Sequence, residues 1–527
     1  MERTRNVDVH DTNADHRTAG HSTADHSRDN DTPDNDTNAE GFAASRLLFA
    51  GLCTFLDGER AGALDHGALE EALAEQGREL LRQLYQDHLD LRAEREGRLA
   101  VVDTDGVSRT SVEPGHHRGL ATVFGTVQVQ RMAYRRRGQP NLHPADAMLN
   151  LPTERHSHGL RRLAAEAAAH GSFDHATEAI RRDTGTRSAK RQVEALATRA
   201  AADVDDFYAT SPHQPADPGD ILVLSSDGKG IVMRPDALRP ATKAAAKASS
   251  SKLATRLSKG EKRNRKRMAT VGAVYDLTPV PRTATDVLAT SGTPTPAPKA
   301  ANKWLTASVA ADTTAVLAAV FDQAQRRDPT HSRTWVALVD GNNHQIDRIH
   351  AEAKDRGVTV TILLDFVHVL EYLWRAAWSF YPEGDPNAET WVHDKTLGIL
   401  NGNASTVAAA IRRKATRRNL PAARRVGADK CADYLLHKRG YLDYPKALAN
   451  GWPIATGIIE GACRHIVKDR MDITGARWGL NGAEAILKLR AVHANGDFDD
   501  YWAHHIAQER RRVHQTRYAN AVIPRAA

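Results

Sequence analysis

The chain has 527 residues, which is more than one compact core accommodates, so two to four domains are expected. Hydrophobic residues make up 41% and charged residues 26%, and no stretch approaches the roughly 18 uncharged apolar residues that a bilayer span requires. Lys and Arg exceed Asp and Glu by 72 − 65 = +7, and the three cysteines, Cys53, Cys431 and Cys463, lie far apart, which argues against a CxxC zinc site and a disulfide framework.

The positive charge is unevenly spread. Residues 1–40 hold ten acids and four bases, a net of −6, so the remainder carries +13. A basic body points to a polyanionic partner, of which nucleic acid is the commonest. Charges rather than an apolar run follow Met1, so no signal peptide is expected and a cytoplasmic, nucleoid-associated protein is.

Residues 1–42 are polar and almost free of large apolar side chains; they are expected to be a disordered tail, because they bury too little surface to offset chain entropy. Residues 43–153 read as a helical segment plus a small β region. Leu69, Leu73, Leu80, Leu81 and Leu84 recur at helical steps. Ala121 to Arg131, with Val123, Phe124, Val127 and Val129 around Gly125, reads as a strand, and the proline-containing stretch 139–153 as a connector.

Residues 154–215 suggest a helix-turn-helix. Ser172 to Ile180 forms one helix, Asp183-Thr-Gly185 the turn, and Arg187 to Thr198 a second helix that opens on Arg187, Lys190 and Arg191, cations suited to a major groove. An ordinary helical hairpin fits the same pattern.

From Asp220 the pattern alternates. Strands are expected at Ile221–Leu224, Ala269–Leu277, Trp335–Val339 and Val358–Leu364, with helices between Thr313 and Arg327 and between Gln345 and Arg356. This is an α/β core with a mixed sheet. Residues 218–370 form its first part, carrying a basic insertion at 234–268. Residues 371–453 read as a helical insertion without strands, 454–498 as the second part of the core, and 499–527 as a C-terminal tail.

Three acids stand out. Asp227 and Asp340 each follow an apolar run and precede glycine, and residues just past strand ends gather at one edge of an α/β sheet. Asp-Gly after a strand is also a common turn. Glu460 opens a helix in which Ile459, Cys463, Ile466 and Arg470 share one stripe at 100° per residue, while Glu460, Arg464 and Lys468 lie beside it. Carboxylates for metal next to cations for phosphate suit phosphodiester chemistry. A second cationic group, Lys262, Arg263, Arg265, Lys266 and Arg267, would contact phosphates without reading sequence. Arg477 and Trp478 could stack on an unpaired base, or Trp478 could anchor the final helix.

Long stretches resemble the ISKra-type insertion-sequence transposases: Ser226-Asp-Gly-Lys-Gly230, Leu257 to Val271, Leu338-Val-Asp-Gly-Asn342, Leu364 to Trp374, Ile454 to His465 and Lys468 to Trp478. The likeness spans roughly residues 45–515. It implies an RNase H-like core with a DDE triad of Asp227, Asp340 and Glu460, two Mg²⁺ or Mn²⁺ ions, and action on double-stranded DNA at inverted-repeat ends by a protein that oligomerises there. Asp365-Phe-Val-His368 resembles the C/DxxH motif of related transposases, which implies that Asp365 and His368 support the triad and leaves Asp365 as the rival second acid. A DDE-like nuclease that does not join strands and a DNA-binding regulator with an inactive core remain the alternatives.

Overall fold

The computed structural model describes residues 41–525, apart from 213–216, 250–252, 254, 256–257, 259–260, 262, 290–292 and 474. The expected disordered tail therefore lies almost wholly outside the described residues, as does Lys262. Among the described residues no helix is long and apolar enough to cross a membrane.

The first part is two helices on a three-stranded antiparallel sheet. Helix α1 (Ala43–Asp57) lies against α2 (His66–Glu94), and Asp65 caps α2 by accepting from Ala68 N at 2.8 Å. The sheet order is β1 (Ser111–Thr122), β2 (Gly125–Arg136), β3 (Gln139–Leu142). One strand was expected around Gly125; the chain instead reverses there. Thr122 pairs with Gly125 across a two-residue turn, and Gly125 starts the return strand at φ 125°, a value only glycine adopts without strain. Val127 and Val129 face inward with Leu120 and Leu89 of α2, the period-two alternation of a half-buried strand. The stretch expected as a connector holds β3 and a short helix at Pro144–Met148.

Four helices follow: α3 (His158–His170), α4 (Phe173–Thr184), α5 (Lys190–Ala200) and α6 (Val204–Thr210). Ser157 and Ser172 cap α3 and α4 through their hydroxyls, and Gly185 ends α4 in the left-handed region. That turn delays the next helix, which begins at Lys190 rather than Arg187.

The central sheet has the order β6-β5-β4-β7-β8, with β4 (Ile221–Val232), β5 (Lys266–Leu277), β6 (Ala300–Ser308), β7 (Trp335–Val339) and β8 (Val360–Leu364). β4, β5 and β6 are antiparallel neighbours, whereas β4, β7 and β8 run parallel. The chain is thus mixed α/β, with a mixed sheet flanked by helices. α7 (Thr313–Arg327) packs on β5 so closely that a Cβ on Gly272 would come within 2.5 Å of Val320. α8 (Asn343–Arg356) joins β7 to β8.

Two expectations about this sheet are corrected. β4 does not stop before Asp227 but continues to Val232, because Gly228 and Gly230 pair with Thr270 and Met268 instead of turning; the side chains of Met268 and Lys266 cover the bare glycines. β5 correspondingly starts at Lys266, so Lys266 and Arg267 belong to the sheet and not to the basic insertion. β6 had no apolar run to announce it: Trp304, Leu305 and Ala307 are its buried residues, among polar neighbours.

Helices α9 (Phe366–Phe380), α10 (Pro386–Leu400), α11 (Ala404–Arg417) and α12 (Ala422–His437) fill the segment expected to be helical. Helix α13 (Gly457–Ala462) continues through a π-helical turn, Cys463–Lys468, and α14 (Leu480–Asn495) packs behind it. The expected C-terminal tail is largely ordered helix. α15 (Phe498–Val513) docks on α3 through Arg161, which is fully buried and pairs with Glu509 at 2.7 Å, with Glu154, and with His505 Nε2 at 3.0 Å.

Candidate carboxylate site and nucleic-acid interface

The strand registers bring the predicted acids together. Ser225 pairs with Leu338, and Leu338 with Leu363, across the parallel strands. Two residues further along each strand stand Asp227, Asp340 and Asp365. Asp340 and Asp365 stand one residue past the ends of β7 and β8, so the three acids line up across adjacent strands. β7 and β8 end at this row while β4 runs through it.

Each member is held differently. Asp227 Oδ1 accepts from Gly228 N at 2.6 Å, and the Cys463 thiol donates to its Oδ2 at 3.4 Å. Asp340 Oδ1 accepts from Asn342 N at 2.9 Å, turning the chain at Gly341, whose φ is 93°. Asp365 is 4% exposed and caps α9: its Oδ1 accepts from Val367 N at 2.9 Å and its Oδ2 from the Thr456 hydroxyl. Both Asp365 oxygens thus accept a hydrogen bond from the protein.

Glu460 comes from the helix over this face. Burial follows the predicted stripe: Ile459, Cys463, Ile466 and Arg470 are buried, and Glu460, Arg464 and Lys468 are exposed. The stripe survives the π-helical turn because the widened turn still faces Cys463, Ile466 and Val467 inward. Partial burial raises the Glu460 pKa, and Asp365, Asp227 and Glu371 raise it further, while His368 pulls it down. Glu460 therefore sits in a field of like charge that His368 opposes. His368 Nδ1 lies 3.8 Å from Glu371, and its ring meets Tyr372 edge-on.

The donor set is all oxygen, which suits Mg²⁺ or Mn²⁺, and mutual repulsion among unpaired carboxylates is what a divalent cation relieves. Among the described residues no group of three or more His, Cys, Asp and Glu side chains is close enough to hold one metal ion. The acids share an electrostatic site without forming a closed coordination sphere, and Glu460 feels Asp365 and Asp227 more than Asp340.

Several contributors carried no sequence signal. Tyr434 of α12 donates from its hydroxyl to the Asp340 carbonyl at 3.3 Å and stacks on Tyr372 at 4.0 Å. Nothing local marks it, because it arrives from a distant helix. Thr456 and Cys463 lie beside Glu460 in sequence, and only the packing reveals which acids they touch.

The predicted cations divide. Arg187, Lys190, Arg191, Arg263, Arg265, Lys266, Arg464, Lys468 and Arg477 are exposed, as phosphate contact requires, although Lys190 also pairs with Asp174 at 2.6 Å. Arg267 does not fit the expectation: its guanidinium donates to the carbonyls of Val309, Ala237 and Ala310, which ties β5 to the loop before α7. Trp478 is corrected too. It is 5% exposed, donates to Met471 O at 3.0 Å, and lies under Arg470 with Phe173 edge-on, so it anchors the chain and offers no face to a base.

Comparison of the chain with protein-family models and with curated proteins finds no match.

Proposed function

We propose that this protein is the transposase of a bacterial insertion sequence, an enzyme with an RNase H-like core that binds double-stranded DNA at inverted-repeat ends and cuts and joins phosphodiesters. The observation that carries this reading is the row Asp227, Asp340, Asp365 across adjacent strands, with Glu460 near enough to feel the charges of Asp365 and Asp227. The strand order, three antiparallel strands followed by two parallel ones, agrees with that core.

In this reading Asp227, Asp340 and Glu460 would hold two Mg²⁺ or Mn²⁺ ions, which would supply charge stabilisation to a phosphodiester displacement. The protein's own residues do the rest. Asp365 fixes the start of α9 and, through Thr456, the approach of the Glu460 helix. His368 tempers the negative field at Glu460, and Arg464 and Lys468 offer charge to DNA phosphates on the same exposed helix face. Oligomerisation on DNA belongs to the proposal.

The test is cleavage of a labelled duplex carrying the element's end, with Mg²⁺ present and with binding measured in parallel. Cleavage followed by joining to target DNA supports a transposase; cleavage without joining makes the protein a nuclease. Binding without cleavage under any divalent cation leaves a DNA-binding regulator.

A further inference from the structure

A cavity of about 430 Å³ lies away from the carboxylate row, between the helix-turn-helix pair and the segment after the π-helical turn. Its walls include Lys190 and Arg191 of α5, Arg234 just past β4, and Arg470 and Arg477; against these five cations stand two carboxylates, Asp174 and Glu194. Asp174 is already paired with Lys190. The walls are clipped together by backbone: Arg234 N donates to Trp478 O at 2.8 Å and Trp478 N to Val232 O at 3.1 Å.

Arg470 is the unusual member. It is 3% exposed and held between Phe173 and Trp478, with its guanidinium 5.3 and 4.7 Å from the ring centres. Its Nε donates to Ala168 O at 2.9 Å, but among the described residues its buried Nη2 has no partner. Its charged neighbour is another cation, Arg490; burial and then Arg490 bring its pKa down to about 10, which still leaves it charged at neutral pH. A buried cation without a counter-ion is costly unless an anion completes it. Arg234 and Arg477 are exposed at the same cavity and free to converge on that anion.

We infer that this cavity is a phosphate-binding pocket, in which Arg470, Arg234 and Arg477 hold one backbone phosphate of DNA away from the point of cutting. The inference rests on the DNA-binding part of the proposed function. Asp227 and Arg234 are joined by seven steps of nearly continuous strand, about 23 Å at ~3.3 Å per residue. B-DNA rises 3.4 Å per nucleotide along one strand. With the DNA axis running along β4, the pocket grips the backbone roughly six or seven nucleotides from the scissile phosphate and sets the register of the end in the active site. It also joins the start of α5, through Lys190 and Arg191, to the core that carries the acids.

The experiment measures duplex binding by the full-length protein against salt concentration, without divalent metal, by fluorescence anisotropy. Arg234→Ala and Arg477→Ala should each weaken binding several-fold and reduce the salt slope by about one. Arg470→Lys keeps the charge but loses the fork and should weaken binding with little change of slope. A duplex with one methylphosphonate six or seven nucleotides from the cut should bind the wild type as weakly as the variants, and should weaken the variants no further. Millimolar inorganic phosphate that binds through Arg477 without displacing the duplex would instead assign the pocket to a free anion and overturn the backbone contact. An unchanged slope in the folded Arg234→Ala, Arg477→Ala double variant overturns the pocket and leaves Arg470 as a structural arginine. Since no step needs cleavage, altered slopes in a protein that never cuts DNA retain the pocket and sink only the catalytic reading. Cleavage with unaltered slopes does the reverse.

Discussion

The hydroxyl of Thr456 donates to Asp365 Oδ2 in the buried space under the Glu460 helix. Thr456 O in turn accepts from Glu460 N at 3.1 Å, so one residue ties the end of β8 to the helix that carries the third acid. Removing the hydroxyl leaves a buried carboxylate oxygen without its partner, at a cost of about 1–3 kcal/mol. Thr456→Val should lower stability to denaturant by that amount and depress cleavage more than DNA binding. Thr456→Ser should restore both; equal loss of binding and cleavage in Thr456→Val would mean that the contact supports only the fold.

Glu460 gives a test that does not need DNA. Its pKa is raised by burial first and then by Asp365, Asp227 and Glu371. A carboxyl raised on folding contributes stability below its unfolded pKa and loses it as pH rises through the folded value. At neutral pH the charged form therefore opposes folding, and Glu460→Gln should be at least as stable as the wild type without metal. Mg²⁺ should raise the Tm of the wild type and not of Glu460→Gln. The same variant should cut no DNA while binding it normally; full cleavage would overturn the three-carboxylate mechanism.

Asp340 and Asp365 separate by what their oxygens already do. Asp340→Asn keeps its backbone contact at Asn342 and should fold normally yet fail to cleave. Asp365→Asn replaces a buried carboxylate that accepts from Thr456 and Val367, so its first symptom should be lost stability, about 1–3 kcal/mol for mismatched buried hydrogen bonds. Chemical denaturation alongside the cleavage assay distinguishes them. A stable, inactive Asp365→Asn beside an active Asp340→Asn would move the second acid to 365.

Two half-buried histidines predict acid sensitivity. Burial, then Arg161, pulls the pKa of His158 down to about 4; burial, then His170, does the same to His493. His158 Nε2 lies 2.8 Å from Asn150 O, and His493 stacks on Phe498 at 4.0 Å, so both pack as neutral rings. Unfolded histidine titrates near 6.5. Because the folded values are lower, the unfolded chain takes up protons first, and the stability present above about pH 6.5 is lost as pH falls toward 4. Tm measured from pH 7.5 to 4 should fall through this window, and a His158→Gln, His493→Gln variant should fall less steeply.

The Arg161 cluster makes α15 part of the core. Arg161→Met removes the fully buried cation from Glu509 and Glu154, which keep Arg512 and Arg199 as partners, so the loss should stay below the about 3–5 kcal/mol of an uncompensated buried charge. Circular dichroism melts should show this loss, and truncation after residue 498 should leave no cooperative transition. A truncated protein that melts like the full chain would return residues 499–527 to the status of a tail.

The sequence by itself determined the mixed α/β class, the helical run between β8 and the last acid, and the buried stripe of Ile459, Cys463 and Ile466, because apolar spacing is a local property that burial then obeys. It also marked Asp227, Asp340 and Asp365, each next to an apolar run. Their alignment in one row depended on the register of three strands far apart in sequence, which no local pattern encodes. The same limit hid β6, which takes its pairing from β5, and the hairpin at Gly125. It also read Asp227-Gly228 as a strand end, where cross-strand pairing with Val271 and Thr270 keeps the chain extended. Composition marked Arg267 and Trp478 as candidates for DNA. Only packing decided that one is spent on three carbonyls and the other lies buried under Arg470, since exposure is a property of the assembled surfaces and not of the residue type.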